Sequence, residues 1–149
     1  MSPSSGNVNA TGLRALSLCI GMFLVAMGLD KLNWLSSPGE LTSRLQEWLE
    51  AAQPGSPNRW YLETVAIPSA PVLARVIPVA EIAAGTALIF GMFTRVAAML
   101  AFLMVLNFHF AADLLFHTAY FTNAYGLPVL GSLLALAVGG SRLPLSVME

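Results

Sequence analysis

The stretch from Ile82 to Ala112, IAAGTALIFGMFTRVAAMLAFLMVLNFHFAA, holds 31 residues and a single charge, Arg95. A membrane-crossing helix needs about 20 mostly apolar residues. This stretch is therefore too long for one crossing, and it breaks naturally at Gly91 to Arg95. Two helices joined by so tight a turn must be antiparallel neighbours.

Outward from there the pattern repeats. No charge occurs between Ala15 and Leu29 or between Leu114 and Ser141, while eight of the fifteen charged residues fall between Asp30 and Glu63. The 149 residues are 56% apolar and only 10% charged, where a soluble domain carries about 25% charge. A water-soluble fold would have to expose long stretches of bare hydrocarbon. The expectation is an all-α integral membrane protein, a four-helix bundle forming one domain over 1–149, embedded in the lipid bilayer. Its spans should cover about 13–35, 71–92, 96–115 and 123–139, and Pro78 lies inside the second, where membrane helices tolerate it.

The same composition excludes several functions. A net charge of -1 without a basic cluster leaves no footprint for nucleic acid. Cys19 is the one cysteine, so neither an intrachain disulfide nor a thiolate metal site is available, and it reads as a small core residue. Gly-rich phosphate loops and a nucleophile elbow are absent, which leaves kinase and serine hydrolase readings unsupported. The uncharged start reads as a retained anchor rather than a cleaved signal.

Between the first two spans, Ser37-Pro38-Gly39-Glu40 has the form of a helix start, with serine as N-cap and glutamate closing a capping box. Leu41, Leu45, Trp48, Leu49 and Ala52 then share one face, Glu40 and Arg44 are an i,i+4 pair, and Gln53 to Pro57 stops the helix. This loop helix, about 38–52, is expected to lie on the bundle or at the interface. Trp34, Trp48, Trp60, Tyr61, Tyr120, Phe121 and Tyr125 cluster at the same end as an interfacial belt. Arg14, Arg95 and Arg142 mark the opposite, terminus-bearing face. Because its segments are almost purely basic, both termini are placed in the cytoplasm, in what reads as a bacterial plasma membrane.

Counting about 1.5 Å per residue gathers the polar groups of the spans in the half of the bilayer nearest the loop helix. Lys31, Arg75, Glu81, Asn107, His109 and Asp113 are the candidates for a polar pocket there. Glu81, near mid-membrane, stands first, because a carboxylate held in hydrocarbon must be neutral, paired or turned to a polar cavity. Its partner should come from another span, since Arg75 lies six residues away on a different helix face. His109, Asp113 and His117 fall at i, i+4 and i+8 on one face, a spacing that suits a carboxylate orienting a histidine. Too few ligands surround them for a metal site.

Span one carries Arg14, Gly21, Gly28 and Lys31-Leu32. Span two carries Glu81, Gly85, Leu88, Gly91 and Thr94-Arg95 followed by Val96-Ala97-Ala98. This combination, a G-x(6)-G-x-x-K-L ending to span one and E-x(3)-G-x-x-L-x-x-G-x-x-T-R-x-A-A across span two, resembles the DoxX/DoxD-like family of small four-helix membrane proteins. The resemblance implies a small subunit or accessory protein of a membrane oxidoreductase system, with a quinone as candidate ligand, other membrane chains as partners, and Arg14, Lys31, Glu81 and Arg95 as the positions matching the family pattern. The long first loop and the His109/Asp113/His117 face depart from simple family members. The competing readings are a purely structural subunit and a small-solute or lipid transporter.

Overall fold

The computed structural model describes residues 5–140 and residue 143, with side chains from Asn9 onward. Arg142, counted above toward orientation, lies outside the described residues. Every regular element among them is helical: α1 Ser5–Asp30, α2 Gly39–Ala51, α3 Pro57–Tyr61, α4 Ile67–Phe90, α5 Thr94–Ala111 and α6 Leu127–Gly139, with short 3-10 turns at Leu32–Leu35 and Thr118–Thr122.

Three long apolar helices dominate. Asn9–Asp30, Pro57–Phe90 and Thr94–Ala111 are each long and apolar enough to cross a bilayer, and only 28%, 33% and 33% of their apolar windows are buried within the chain. The rest of that hydrocarbon needs lipid to cover it. The chain is a multi-pass membrane protein. α6 is apolar but has 13 residues, shorter than the usual crossing.

The second long helix differs most from expectation. It starts at Pro57 rather than near Pro71, because α3 runs into α4 through one π-helical turn, Leu62–Ala66, where the Ile67 N–H reaches back five residues to the Leu62 carbonyl. At 34 residues it is about 51 Å long, well beyond a hydrocarbon core of about 30 Å. Its first part packs beside α2, with Leu62 and Ala66 against Leu41 and Leu45. Its far end closes with Gly91 in the left-handed conformation (φ 69°). There the Met92 N–H bonds the Ala87 carbonyl at 2.8 Å and the Gly91 N–H bonds that of Leu88 at 3.3 Å, a Schellman ending that only glycine enters without strain. Phe93 (φ 47°) completes the reversal into α5.

Two apolar clusters hold the helices together. Ile20 and Leu24 of α1 pack with Leu88, Ala98, Ala101, Leu133 and Leu136 near the tight turn. At the other end Leu41 and Leu45 of α2 pack with Trp34, Leu62, Ala66, Ala70 and Ala74. α2 starts without a side-chain cap: Ser37 offers its carbonyl to the Glu40 N–H, and the Glu40 carboxylate accepts from Asn33 instead of pairing with Arg44. Cys19 is exposed on α1, not in the core. An all-apolar run gives no sign of which side faces lipid, whereas the neighbouring Ser17, Ile20 and Leu24 turn inward.

Of the aromatic residues assigned to an interfacial belt, Trp60, Phe121 and Tyr125 are exposed, while Trp34 and Tyr120 are buried. Those two lie not at the rim but in the interior, among the polar groups.

Candidate functional site

Glycines bring α1 against α4. A Cβ placed on Gly28 would lie 2.9 Å from the Pro78 carbonyl oxygen and 3.1 Å from the Glu81 Cβ. With no side chain at Gly28, Glu81 reaches the end of α1, where Lys31 follows the last helical residue. Lys31 Nζ donates to both Glu81 oxygens at 2.8 Å and to the Met27 carbonyl at 3.1 Å. Its three protons are thereby used. Both residues are buried, Lys31 8% exposed and Glu81 5%. An ion pair so enclosed rarely stabilises a fold more than apolar side chains of the same size would, which makes its surroundings informative.

Those surroundings are a cavity of about 150 Å³. Lys31, Glu81 and His109 line it, together with Trp34, Arg44, Trp48, Phe108 and Tyr125. The Trp34 ring has the Lys31 ammonium and the Arg44 guanidinium each 5.9 Å from its centroid, within cation–π range. His109, 7% exposed, shares a hydrogen bond through Nδ1 with the Tyr120 hydroxyl at 3.0 Å. The Tyr120 ring stands edge-on to the imidazole with centroids 5.4 Å apart. Burial pushes the Tyr120 hydroxyl pKa above its ordinary range. This bond fixes the imidazole plane and leaves Nε2 as the nitrogen for a ligand.

Three sequence candidates lie elsewhere. Arg75 is exposed and donates to the Pro71 carbonyl at 2.8 Å. Asn107 is exposed on the other side of α5, its Nδ2 2.7 Å from the Tyr61 hydroxyl. Among the described residues Asp113 pairs with His117, at 3.4 Å. The expected His109/Asp113/His117 face does not form, because α5 ends at Ala111 and Asp113 takes a left-handed conformation (φ 57°) that turns the chain away. No group of three His, Cys, Asp or Glu side chains among the described residues is placed to hold a metal ion.

The sequence reading missed Arg44 and Tyr120. Arg44, exposed, stands at i+3 beside the stripe Leu41, Leu45, Trp48, so the helical period already put it at the edge of the inward face. Tyr120 follows a non-helical turn and carried no such signal.

Next to this cavity, across Trp48 and Phe108, lies a second, larger one. A groove of about 690 Å³ runs between α4 and α5, bordered by Ala80, Ala83, Ala84 and Ala87 on one side and Val96, Leu100, Ala101 and Met104 on the other. Trp48 and Phe108 line both spaces, and their rings meet edge-to-face with centroids 6.4 Å apart.

The remaining basic side chains hold helix ends. Arg14 donates to the carbonyls of Leu88 and Ile89 at 3.0 and 2.6 Å, and Ser17 adds a bond to Leu88 at 2.7 Å. Arg95 reaches the Ala137 carbonyl at 3.0 Å. Arg59 reaches the Leu49 and Ala52 carbonyls at 3.3 and 3.2 Å. Carbonyls at the ends of α4, α6 and α2 thus each receive a cation.

A family model described as DoxX matches residues 12–117. The chain belongs to the DoxX family. No curated protein and no solved structure matches the chain. The DoxX match takes in Arg14, Lys31, Glu81, Arg95 and His109 but stops short of Tyr120 and of α6. The histidine is thus within the DoxX portion, and the tyrosine that orients it comes from outside.

Proposed function

We propose that this DoxX protein is a small membrane subunit or accessory protein of a quinone-linked oxidoreductase system, with the Lys31–Glu81 cavity as the seat of a quinone ring. In this reading α6, with its flanking residues, serves as the fourth crossing of a four-helix bundle. α2 caps the bundle, both termini face the cytoplasm of a bacterial cell, and electrons arrive through a partner chain. The observation that carries the proposal is the buried ion pair on the wall of a cavity of about 150 Å³, a volume that accepts a single benzene-sized ring.

The chemistry of the wall suits such a ring. A quinone has two carbonyl oxygens, which accept hydrogen bonds. The reduced form has two hydroxyls, which donate them. The Arg44 guanidinium is a donor for the oxidised form, and so is His109 Nε2 in the tautomer whose Nδ1 accepts from the Tyr120 hydroxyl. The Glu81 carboxylate has lone pairs beyond those Lys31 occupies, so it can accept a hydrogen bond or proton from the reduced form. Lys31 keeps negative charge tolerable at this depth. Arg75, Asn107 and Asp113 take no part.

The test is Lys31→Met with Glu81→Leu, which leaves no buried charge unpaired, made in the protein purified in mild detergent with its co-purifying chains and extracted quinone analysed together. The reading expects the variant to assemble with its partners and to lose quinone binding or turnover. Loss of assembly and ligand together would leave a purely structural subunit in front. That rival draws on one observation of its own, the use of three arginines to fasten helix ends.

A further inference from the structure

Resting on the ring site proposed above, we propose that the ring entering the Lys31–Glu81 cavity carries one ionised acidic group, held at the mouth by Arg44. The ligand class is therefore a flat anionic ring. Among quinones it is one with an acidic hydroxyl, whose ionised form spreads a single negative charge over two oxygens as a carboxylate does.

The charges around the cavity argue for an anion. Lys31 and Glu81 meet at 2.8 Å and cancel. Arg44, which also lines the cavity, is left over. The ion pairs among the described residues are Lys31–Glu81, Arg59–Glu63 and His117–Asp113, so no carboxylate among them answers Arg44. His109, 7% exposed, brings a second uncommitted group to the wall. With Nδ1 accepting from Tyr120, its Nε2 is a donor.

The way Arg44 comes to be free is the second argument. Glu40 stands four residues before it, the spacing of a favourable helix ion pair. The turn Leu32–Leu35 instead brings the Asn33 amide onto the Glu40 carboxylate, and the Arg44 guanidinium lies over the Trp34 ring, 5.9 Å from its centroid. The Lys31 ammonium is equally close to that ring. Two cations gathered at one indole repel each other, and only Lys31 has its counter-charge within the chain. Of the lining residues Arg44 and Tyr125 are exposed, whereas Lys31, Trp34, Glu81 and His109 are buried. Arg44 therefore stands at the rim, where the substituted edge of a ring seated inside would meet it. A guanidinium fork matches an anion of two oxygens with two parallel hydrogen bonds.

The experiment titrates benzoate, benzamide and benzamidinium, flat rings of one shape that are negative, neutral and positive at neutral pH. Each is added to the full chain in a non-ionic detergent, and binding is read from tryptophan fluorescence. The parent should bind benzoate about tenfold more tightly than benzamide, a difference of about 1.4 kcal/mol, and benzamidinium least. Acetate, which has the charge without the ring, should bind far more weakly than benzoate. Arg44→Gln should abolish the preference for benzoate and change benzamide affinity by less than about twofold. Asn33→Ala does not touch the cavity but frees Glu40 to pair with Arg44, and should weaken benzoate about threefold, the scale of one exposed ion pair. Adding Glu40→Gln to it should restore the parent's affinity. All three substitutions are at exposed positions. A benzoate preference that survives Arg44→Gln, or one unchanged by Asn33→Ala, would overturn the assignment. Acetate binding as tightly as benzoate would reduce Arg44 to an ordinary surface cation and overturn it as well. If benzamide binds the parent as tightly as benzoate, the charge inference fails and the ring site stands. If none of the three rings binds, the ring site fails and this inference with it.

Discussion

Gly21 and Gly85 face each other so closely that a Cβ on Gly85 would lie 2.6 Å from the Gly21 carbonyl oxygen, and one on Gly21 would lie 2.8 Å from that of Gly85. The obstacle in both directions is backbone, which cannot rotate away as a side chain can. α1 and α4 therefore touch main chain to main chain, the contact that small residues permit between membrane helices. Gly85→Ala should force the helices apart and cost about 1–3 kcal/mol, as overpacking does. Gly131→Ala has open space around the new carbon and should stay within about 0.5 kcal/mol. Thermal unfolding in detergent of the two variants side by side checks the contrast.

Removing one partner of the Lys31–Glu81 pair should hurt more than removing both. Lys31→Met leaves a carboxylate buried without its counter-charge, a loss of about 3–5 kcal/mol, whereas Lys31→Met with Glu81→Leu should recover most of the stability. A double-mutant cycle on unfolding free energy measures the coupling. Simple additivity would mean that the two groups do not stabilise one another.

Arg14 should matter through its geometry as well as its charge. Arg14→Ala strips the Leu88 and Ile89 carbonyls of the guanidinium and should cost about 1–3 kcal/mol. Arg14→Lys supplies one point donor where a fork now serves two oxygens, so it should restore only part of the loss. Equal stability of parent and lysine variant would show that charge alone suffices.

Trp48 is half-buried, with its ring edge-to-face against Phe108. Trp48→Ala should therefore cost less than the roughly 3–5 kcal/mol of a fully buried tryptophan. About 1–2 kcal/mol is the expected loss, read from chemical unfolding. A change below about 0.5 kcal/mol would mean that the ring is not seated against α5.

Topology follows from the tight turn. In a cysteine-free background, single cysteines at Phe93, Gln46 and Thr118 should separate into two classes when probed with an impermeant thiol reagent. Phe93→Cys should be labelled from one side of the membrane, and Gln46→Cys and Thr118→Cys from the other. Labelling of all three from one side would break the antiparallel arrangement of α4 and α5.

The long helices were legible because a charge-free run of this length has no polar face to turn toward water, and the turn at Gly91 because glycine next to a change of composition marks a helix end. Glu81 was legible from its cost, and its partner from the requirement for a different span. The remainder of the polar set was not. Depth counting places Arg75, Asn107 and His109 in the same half of the bilayer but says nothing about azimuth. In a membrane helix both the lipid side and the packed side are apolar, so the usual amphipathic signal that fixes rotation is missing. Asp113 failed for another reason: its grouping with His109 assumed a helix that the chain leaves at Ala111. The start at Pro57 was hidden because Pro68 and Pro71 resemble stops, although a helix can carry proline where neighbours take up the freed carbonyls.

The π turn at Leu62–Ala66 works as a phase adjuster between two pieces of one helix. Each residue of an α-helix advances the azimuth by about 100°, so one residue too many turns everything before it by that amount relative to everything after it. Arg59, which reaches the end of α2, and Tyr61, which meets Asn107, lie before the turn; Glu81 lies after it. Deleting one residue here would give a smoother helix and a worse protein. Either the Arg59 and Tyr61 contacts or the Lys31–Glu81 pair would keep its bearing, but not both.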